Sequence, residues 1–121
     1  MSESGQRVVI LNGPPGVGKT TIGRLLAARA ANGACIGGDA LAGFIVTRVA
    51  GSVDQGPGYV NGATIAANYL RAGYDLVVFE YSFEHPRHVH RFLEAYDEAA
   101  PVSLFHALGA ARARPAARAC S

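Results

Sequence analysis

The sequence predicts an α/β fold, a three-layer arrangement in which a mainly parallel sheet carries helices on both faces. Three observations lead there. Short apolar runs rich in β-branched residues, at 7–11 and 74–80, suit strands buried on both faces. Between them lie segments whose apolar residues recur with a period near 3.6, as in amphipathic helices. Clusters of Gly, Pro and Asn separate the two kinds of segment at the spacing of βα units.

The elements follow in chain order. Arg7-Val8-Val9-Ile10-Leu11 is the first strand, closed by Asn12-Gly13-Pro14-Pro15-Gly16. From Gly18 the pattern turns helical, with Ile22, Leu25, Leu26 and Arg29 on the repeat and Asn32-Gly33 as the stop. Ala34-Cys35-Ile36 is a very short second strand, closed by Gly37-Gly38-Asp39. A helix is expected over 41–49 and a loop over 51–58, with Gly56-Pro57-Gly58 its clearest break. The next helix is expected over 60–72, with Ile65, Tyr69 and Leu70 on one face and Gly73 past its end. The third strand, 74–80, ends in Glu80. Pro86 opens a helix over 87–99 with Val89, Phe92, Leu93 and Tyr96 on one face, and Pro101 precedes a fourth strand over 102–107. The first strand is expected at the centre, with the third and fourth beside it.

Composition narrows the class. The chain has 121 residues, 50% apolar and 17% charged, enough for one domain with a real core. No apolar run reaches the length of a membrane span, and residues 1–6 are short and polar, unlike a secretory leader. Cys35 and Cys120 are too few for a disulfide scaffold, so a cytoplasmic protein is expected. The net charge of +2 comes from the end of the chain: Arg112, Arg114 and Arg118 lie in a segment without acids, and 1–108 is close to neutral. Neither nucleic acid nor a membrane surface is therefore an expected partner.

The chemistry is concentrated in Gly13-Pro14-Pro15-Gly16-Val17-Gly18-Lys19-Thr20, which matches G-x-x-x-x-G-K-[ST] between a strand and a helix. Glycines let such a loop curl so that successive N–H groups point inward at phosphate oxygens. The positive end of the following helix adds to that field. Lys19 supplies a cation for β- and γ-phosphates, and Thr20 a hydroxyl for Mg²⁺. Thr21 is placed to reach an α-phosphate oxygen. The pattern specifies a nucleoside triphosphate, with ATP and Mg²⁺ as the expected ligands, and leaves open the use to which the phosphate is put.

On these residues the chain resembles the P-loop nucleoside-triphosphate hydrolase superfamily. Over about residues 7–108 it is similar to its small kinases and phosphotransferases, of the shikimate-kinase, gluconate-kinase and chloramphenicol-phosphotransferase kind, often labelled AAA-type ATPases. The resemblance implies transfer of the ATP γ-phosphate to a small-molecule hydroxyl. In those kinases an aspartate just after the second strand faces the acceptor; Asp39 has that place, which implies a catalytic base or substrate-orienting role.

Independently of the resemblance, Asp39 lies beyond the carboxyl end of a strand, where open α/β sheets bind ligands. It is also suited to cap a helix from Leu41 onward. Glu80 follows four apolar residues, the shape of a Mg²⁺-holding strand end; contact with substrate, activation of water in an ATPase, and an idle surface acid remain open. His85, His88 and His90 look metal-like but lack partners at ligand spacing, and a solvated helix start suits them better. Arg87 or Arg91 could meet a substrate anion. Phe44, Tyr59, Tyr81 and Phe83 could line an acceptor pocket, with core packing the alternative.

Two departures from the resemblance stand out. Glu80-Tyr81-Ser82 replaces the glycines that shikimate kinases carry after the third strand, and Asp39 stands without a second acid. Beyond the fourth strand such kinases continue into an arginine-bearing lid and a fifth strand. Here 109–121 reads Gly-Ala-Ala-Arg-Ala-Arg-Pro-Ala-Ala-Arg-Ala-Cys-Ser, with no large apolar residue to bury. The expectation is a C-terminally truncated kinase-like domain over 1–108 and a poorly ordered tail over 109–121, leaving catalysis weak.

Overall fold

Strands β1 (Arg7–Asn12), β2 (Gly33–Gly37), β3 (Leu76–Tyr81) and β4 (Val102–His106) form one sheet in the order β2-β3-β1-β4, every pair parallel. The computed structural model describes residues 5–14, 17–54 and 56–107. Helices α1 (Lys19–Ala27), α2 (Gly38–Ala42), α3 (Pro57–Arg71) and α4 (Pro86–Ala95) complete it. The first strand is central with the third and fourth beside it, as the sequence predicts.

Strand alternation sorts the core into two layers. Val8, Ile10, Ile36, Val77 and Phe79 point to one face and pack with Ala63, Ala66 and Leu70 of α3 and Phe92 of α4. Val9, Leu11 and Val78 point to the other, where Ala27 of α1 joins them. A fully buried side chain of this kind contributes about 1.5–3 kcal/mol. Four consecutive buried residues, Val8 to Leu11, therefore make β1 the anchor of the sheet.

Several elements differ from the expectation. The helix expected over 41–49 is the five-residue α2; after Gly43 the chain runs without regular structure through Ile45–Val49. The side chains there, Phe44 to Val49, face solvent, so no buried face holds a longer helix together. Helix α3 starts at Pro57, within the expected break, because proline suits the first helical turn, where its missing N–H has no intrahelical partner in any case. Helix α1 ends at Ala27, short of Asn32-Gly33; Gly33 instead opens β2.

The faces of α1 are also corrected. Ile22 and Leu25 are exposed, and the buried positions are Lys19, Gly23 and Ala27. A Cβ on Gly23 would lie 2.9 Å from Cys35 Sγ and 3.4 Å from Val78, so small residues let this helix lie close against β2 and β3. In α3 the buried stripe is likewise small, with Gly62, Ala63, Ala66 and Ala67 beside Leu70, while Tyr69 is exposed. In α4 only Phe92 is fully buried and Leu93 is exposed.

This topology creates a crevice. β1 is followed by α1 on one face and β3 by α4 on the other, so the chain leaves two adjacent strands in opposite directions at their carboxyl ends. Open α/β sheets bind ligands at such a divergence. Among the described residues, no helix is long and apolar enough to cross a membrane.

Candidate functional site

Loop 13–18 leaves β1 at that crevice. Its base is held from both sides by groups the sequence reading passed over. Asn12 accepts from the Phe83 N–H at 2.6 Å through Oδ1 and donates to the Phe83 carbonyl at 2.9 Å through Nδ2. The Ser82 hydroxyl donates to the Gly13 carbonyl at 3.0 Å. On the other side the Ala107 N–H donates to the Asn12 carbonyl at 2.6 Å. A Cβ on Gly13 would meet the Ala107 carbonyl oxygen at 2.9 Å, so only glycine fits between β1 and the end of β4. The signal for this bracing was an asparagine directly before Gly-Pro, which reads equally well as a turn residue.

Pro14 and Gly18 bound the middle of the loop; Val17 packs into the α1-side core, and Pro15 and Gly16 lie outside the described residues. Gly18 has φ 84°, a left-handed conformation that glycine adopts without strain, and from it the chain turns straight into α1. No side chain caps α1. Its first intrahelical bond is Ile22 N–H to the Gly18 carbonyl, so the amides before Ile22 have no acceptor within the helix.

Lys19 is the first residue of α1 and only 6% exposed, a rare burial for lysine. Its Nζ donates to the Pro14 carbonyl at 3.2 Å, across the loop. Thr20 Oγ1 donates to Glu80 Oε2 at 2.8 Å. Thr21 follows in the same turn, exposed.

Glu80 is 3% exposed, which removes the reading of an idle surface acid. It opposes Leu11 on one side and Gly37 on the other, so it stands on the α1 face between three strands. Burial pushes its carboxyl above the usual range and the charge of Asp39 adds to this; the Thr20 hydroxyl and the Lys19 ammonium oppose it.

Asp39 lies in the first turn of α2, exposed. It does not cap that helix: the capping position is Gly37, because the helix begins sooner than the sequence suggests. A carboxylate in the first turn suits the helix dipole. Its charge reaches both Glu80 and Tyr81, raising each. Lys19, Thr20, Glu80 and Asp39 thus share the carboxyl edge of the sheet.

Two of the cavities at this edge adjoin α3. The larger, about 530 Å³, lies between α2, the segment after it and the start of α3, and is lined by Leu41, Phe44, Ile45, Arg48, Asn61 and Tyr81 among others. The smaller, about 270 Å³, lies between α3 and α4 with Arg87, His88 and Arg91 in its wall. Tyr81 belongs to both. Of the other aromatic candidates, Phe83 is a core residue, Tyr59 is a core residue that also lines the smaller cavity, and Phe44 is exposed at the larger one. The His85 and His88 rings meet edge to face at 5.3 Å, and the His88 ring also stacks on Tyr59 at 4.5 Å and accepts from the Glu84 N–H. Arg91 is engaged by Asp54 at 2.6 Å.

Among the described residues, no three His, Cys, Asp or Glu side chains gather as a metal-holding group. A cation at Thr20 and Glu80 would take its other ligands from phosphate and water, as Mg²⁺ characteristically does. The chain matches no protein-family model and no curated protein.

Proposed function

We propose that this protein is a P-loop nucleotide-binding enzyme that, with Mg²⁺, transfers the γ-phosphate of ATP to a hydroxyl of a small molecule. The supporting observation is the convergence of Lys19, Thr20 and Glu80 at the mouth of a strand-loop-helix turn. Thr20 and Glu80 are 60 positions apart and bonded at 2.8 Å. A buried lysine costs desolvation, and among the described residues the hydrogen bond of this ammonium is to a loop carbonyl, which suits it to an anion brought into that loop.

The roles follow from chemistry and position. The amides of the first turn of α1 and the loop N–H groups bind phosphate oxygens, and Lys19 stabilises the charge on the transferring group. The Thr20 hydroxyl and the Glu80 carboxylate are oxygen donors that suit Mg²⁺. When bound, the metal supplies charge neutralisation on the phosphates. Asp39, exposed on the same edge, orients the acceptor hydroxyl and takes its proton.

The test is calorimetry with ATP and AMP, followed by ADP formation with and without hydroxyl compounds. Lys19→Ala should weaken ATP by about ten- to a hundredfold, the worth of a charge-assisted contact, and AMP much less. Equal ATP affinity in both proteins removes the reading. Phosphate release without any acceptor favours a second reading, an ATPase, for which the raised carboxyl of Glu80 is the motive: it would serve as a base toward water. ATP affinity without turnover would leave a nucleotide-binding protein.

A further inference from the structure

His106 ends β4 opposite Asn12, the last residue of β1 before the loop. We propose that His106 is a positioning residue that holds the entrance of the loop only as a neutral imidazole, so that its protonation weakens phosphate binding. The phosphate half of this statement rests on the P-loop reading; the hydrogen-bonded half does not.

The protonation state follows from the neighbours. The Phe83 N–H can only donate and the Phe83 carbonyl can only accept. Asn12 meets the first through Oδ1 at 2.6 Å and the second through Nδ2 at 2.9 Å, which fixes the orientation of its amide. The same Nδ2 stands 3.1 Å from His106 Nδ1. An amide nitrogen only donates, so Nδ1 is the acceptor and the ring proton lies on Nε2. In an imidazolium both ring nitrogens carry protons, and Nδ1–H would confront the amide N–H with no acceptor between them.

The bond matters because of where Asn12 sits. Ala107, next to His106, donates its N–H to the Asn12 carbonyl at 2.6 Å, and its own carbonyl oxygen lies 2.9 Å from where a Cβ on Gly13 would be. The end of β4 therefore grips the residue before the loop twice, by backbone at Ala107 and by side chain at His106. Gly13 follows Asn12 directly, so a loosened grip acts on the first N–H groups of the loop. An anion site whose donors must be ordered on binding loses affinity.

The surroundings supply a second partner for the charged ring. His106 lines a cavity of about 200 Å³ with Asn12, Gly13, Pro14 and Glu84 among others. Glu84, on the segment after β3, is the one carboxylate among the lining residues, and His106 the one imidazole. Lys19 of α1 reaches the same wall through the Pro14 carbonyl, and His88 of α4 lies behind Glu84, accepting from its N–H. Neutral, the ring accepts from Asn12; charged, it loses that bond and is drawn to Glu84.

The experiment measures ATP affinity by calorimetry at about pH 7.5 and about pH 5.5, a range in which imidazole changes charge. The deciding variant is His106→Asn, whose amide oxygen takes the place of Nδ1 and does not titrate. Wild type and His106→Asn should bind ATP alike at the higher pH. At the lower pH wild type should be about three- to tenfold the weaker, the worth of one hydrogen bond. The comparison cancels the protonation of ATP itself. Glu84→Gln should shrink the difference. Both side chains are exposed, so folding is preserved, which circular dichroism checks. Nitrogen NMR of the ring should show Nδ1 unprotonated at the higher pH. A proton on Nδ1 there, or equal ATP affinities of the two proteins at the lower pH, overturns the proposal. Where ATP binds at neither pH, hydrogen exchange of the Phe83 and Ala107 amides decides. Protection lost on acidification in wild type and kept in His106→Asn upholds the tie and removes the P-loop reading; protection that is the same in both overturns the tie as well.

Discussion

Thr20 Oγ1 donates to Glu80 Oε2 at 2.8 Å, tying the first turn of α1 to the end of the neighbouring strand β3. The acceptor is a carboxylate only 3% exposed, on the α1 face of the sheet. A buried acid satisfied mainly by one hydroxyl is unfavourable for stability unless it serves a ligand.

That relationship fixes the sign of a pH effect. The Glu80 carboxyl titrates above its ordinary 4.5 in the folded protein. The folded state therefore holds this proton more tightly than the unfolded chain. Glu80's contribution is favourable below the ordinary carboxyl value and is lost as pH rises through the raised one. At neutral pH its charge opposes folding. Glu80→Gln, which can still accept from Thr20, should raise Tm at pH 7 and flatten the pH dependence above 4.5. It should also weaken Mg²⁺-dependent ATP binding. A lower Tm at pH 7 would show instead that Lys19 makes the charge favourable.

Asp39→Asn keeps the size of the side chain and removes its charge. Because Asp39 is exposed and caps no helix, stability should change little. Acceptor-dependent turnover should fall by about 10²-fold, the scale of a positioned base, with ATP affinity nearly intact. Unchanged turnover in a steady-state assay would leave Asp39 as a favourable first-turn charge and nothing more.

Helix α3 gives a packing prediction. A Cβ on Gly62 would lie 2.4 Å from the Phe79 ring, which is fully buried. Alanine is the better helix former by about 1 kcal/mol. Overpacking a core typically costs about 1–3 kcal/mol, so Gly62→Ala should be destabilising on balance. Gly43→Ala is the control, because its Cβ would meet nothing nearer than 3.4 Å. Urea denaturation that ranks Gly62→Ala as stable as Gly43→Ala would mean that α3 lies further from the sheet.

Asp54 and Arg91 form a two-pronged contact, at 3.2 and 2.6 Å, that ties the segment before α3 to α4. The Arg91 guanidinium and the Gly56 N–H hold the Asp54 carboxyl down at about 2. Its contribution is present above the ordinary value of 3.8 and is lost as pH falls through about 2. The pair is exposed, so the expected effect is local. Asp54→Asn should speed hydrogen exchange near Gly56 with little change in Tm, and exchanging the two charges should restore protection. Unaltered exchange would show that the tie holds nothing in place.

Much of this protein is written in its local sequence. Strands β1 and β3 are legible because short apolar runs with β-branched residues, bounded by turn signals, suit a strand covered on both faces. The loop at 13–18 is legible because glycines and a lysine at fixed spacing are a local device for bending a backbone. Residues 60 positions apart are another matter. Nothing near Thr20 names Glu80; the parallel register of β3 with β1 and the close approach of α1 bring them together. That approach also overrules periodicity, because Gly23 and Ala27 fit against the sheet and Ile22 and Leu25 are left outside. The larger cavity belongs to tertiary structure for the same reason. Its wall comes from a helix that stops after five residues, from the start of another, and from a tyrosine ring held between two glycines. Sequence determines what each segment can form; which side chains then meet is decided by how closely backbones approach, a property of pairs of segments that neither one carries alone.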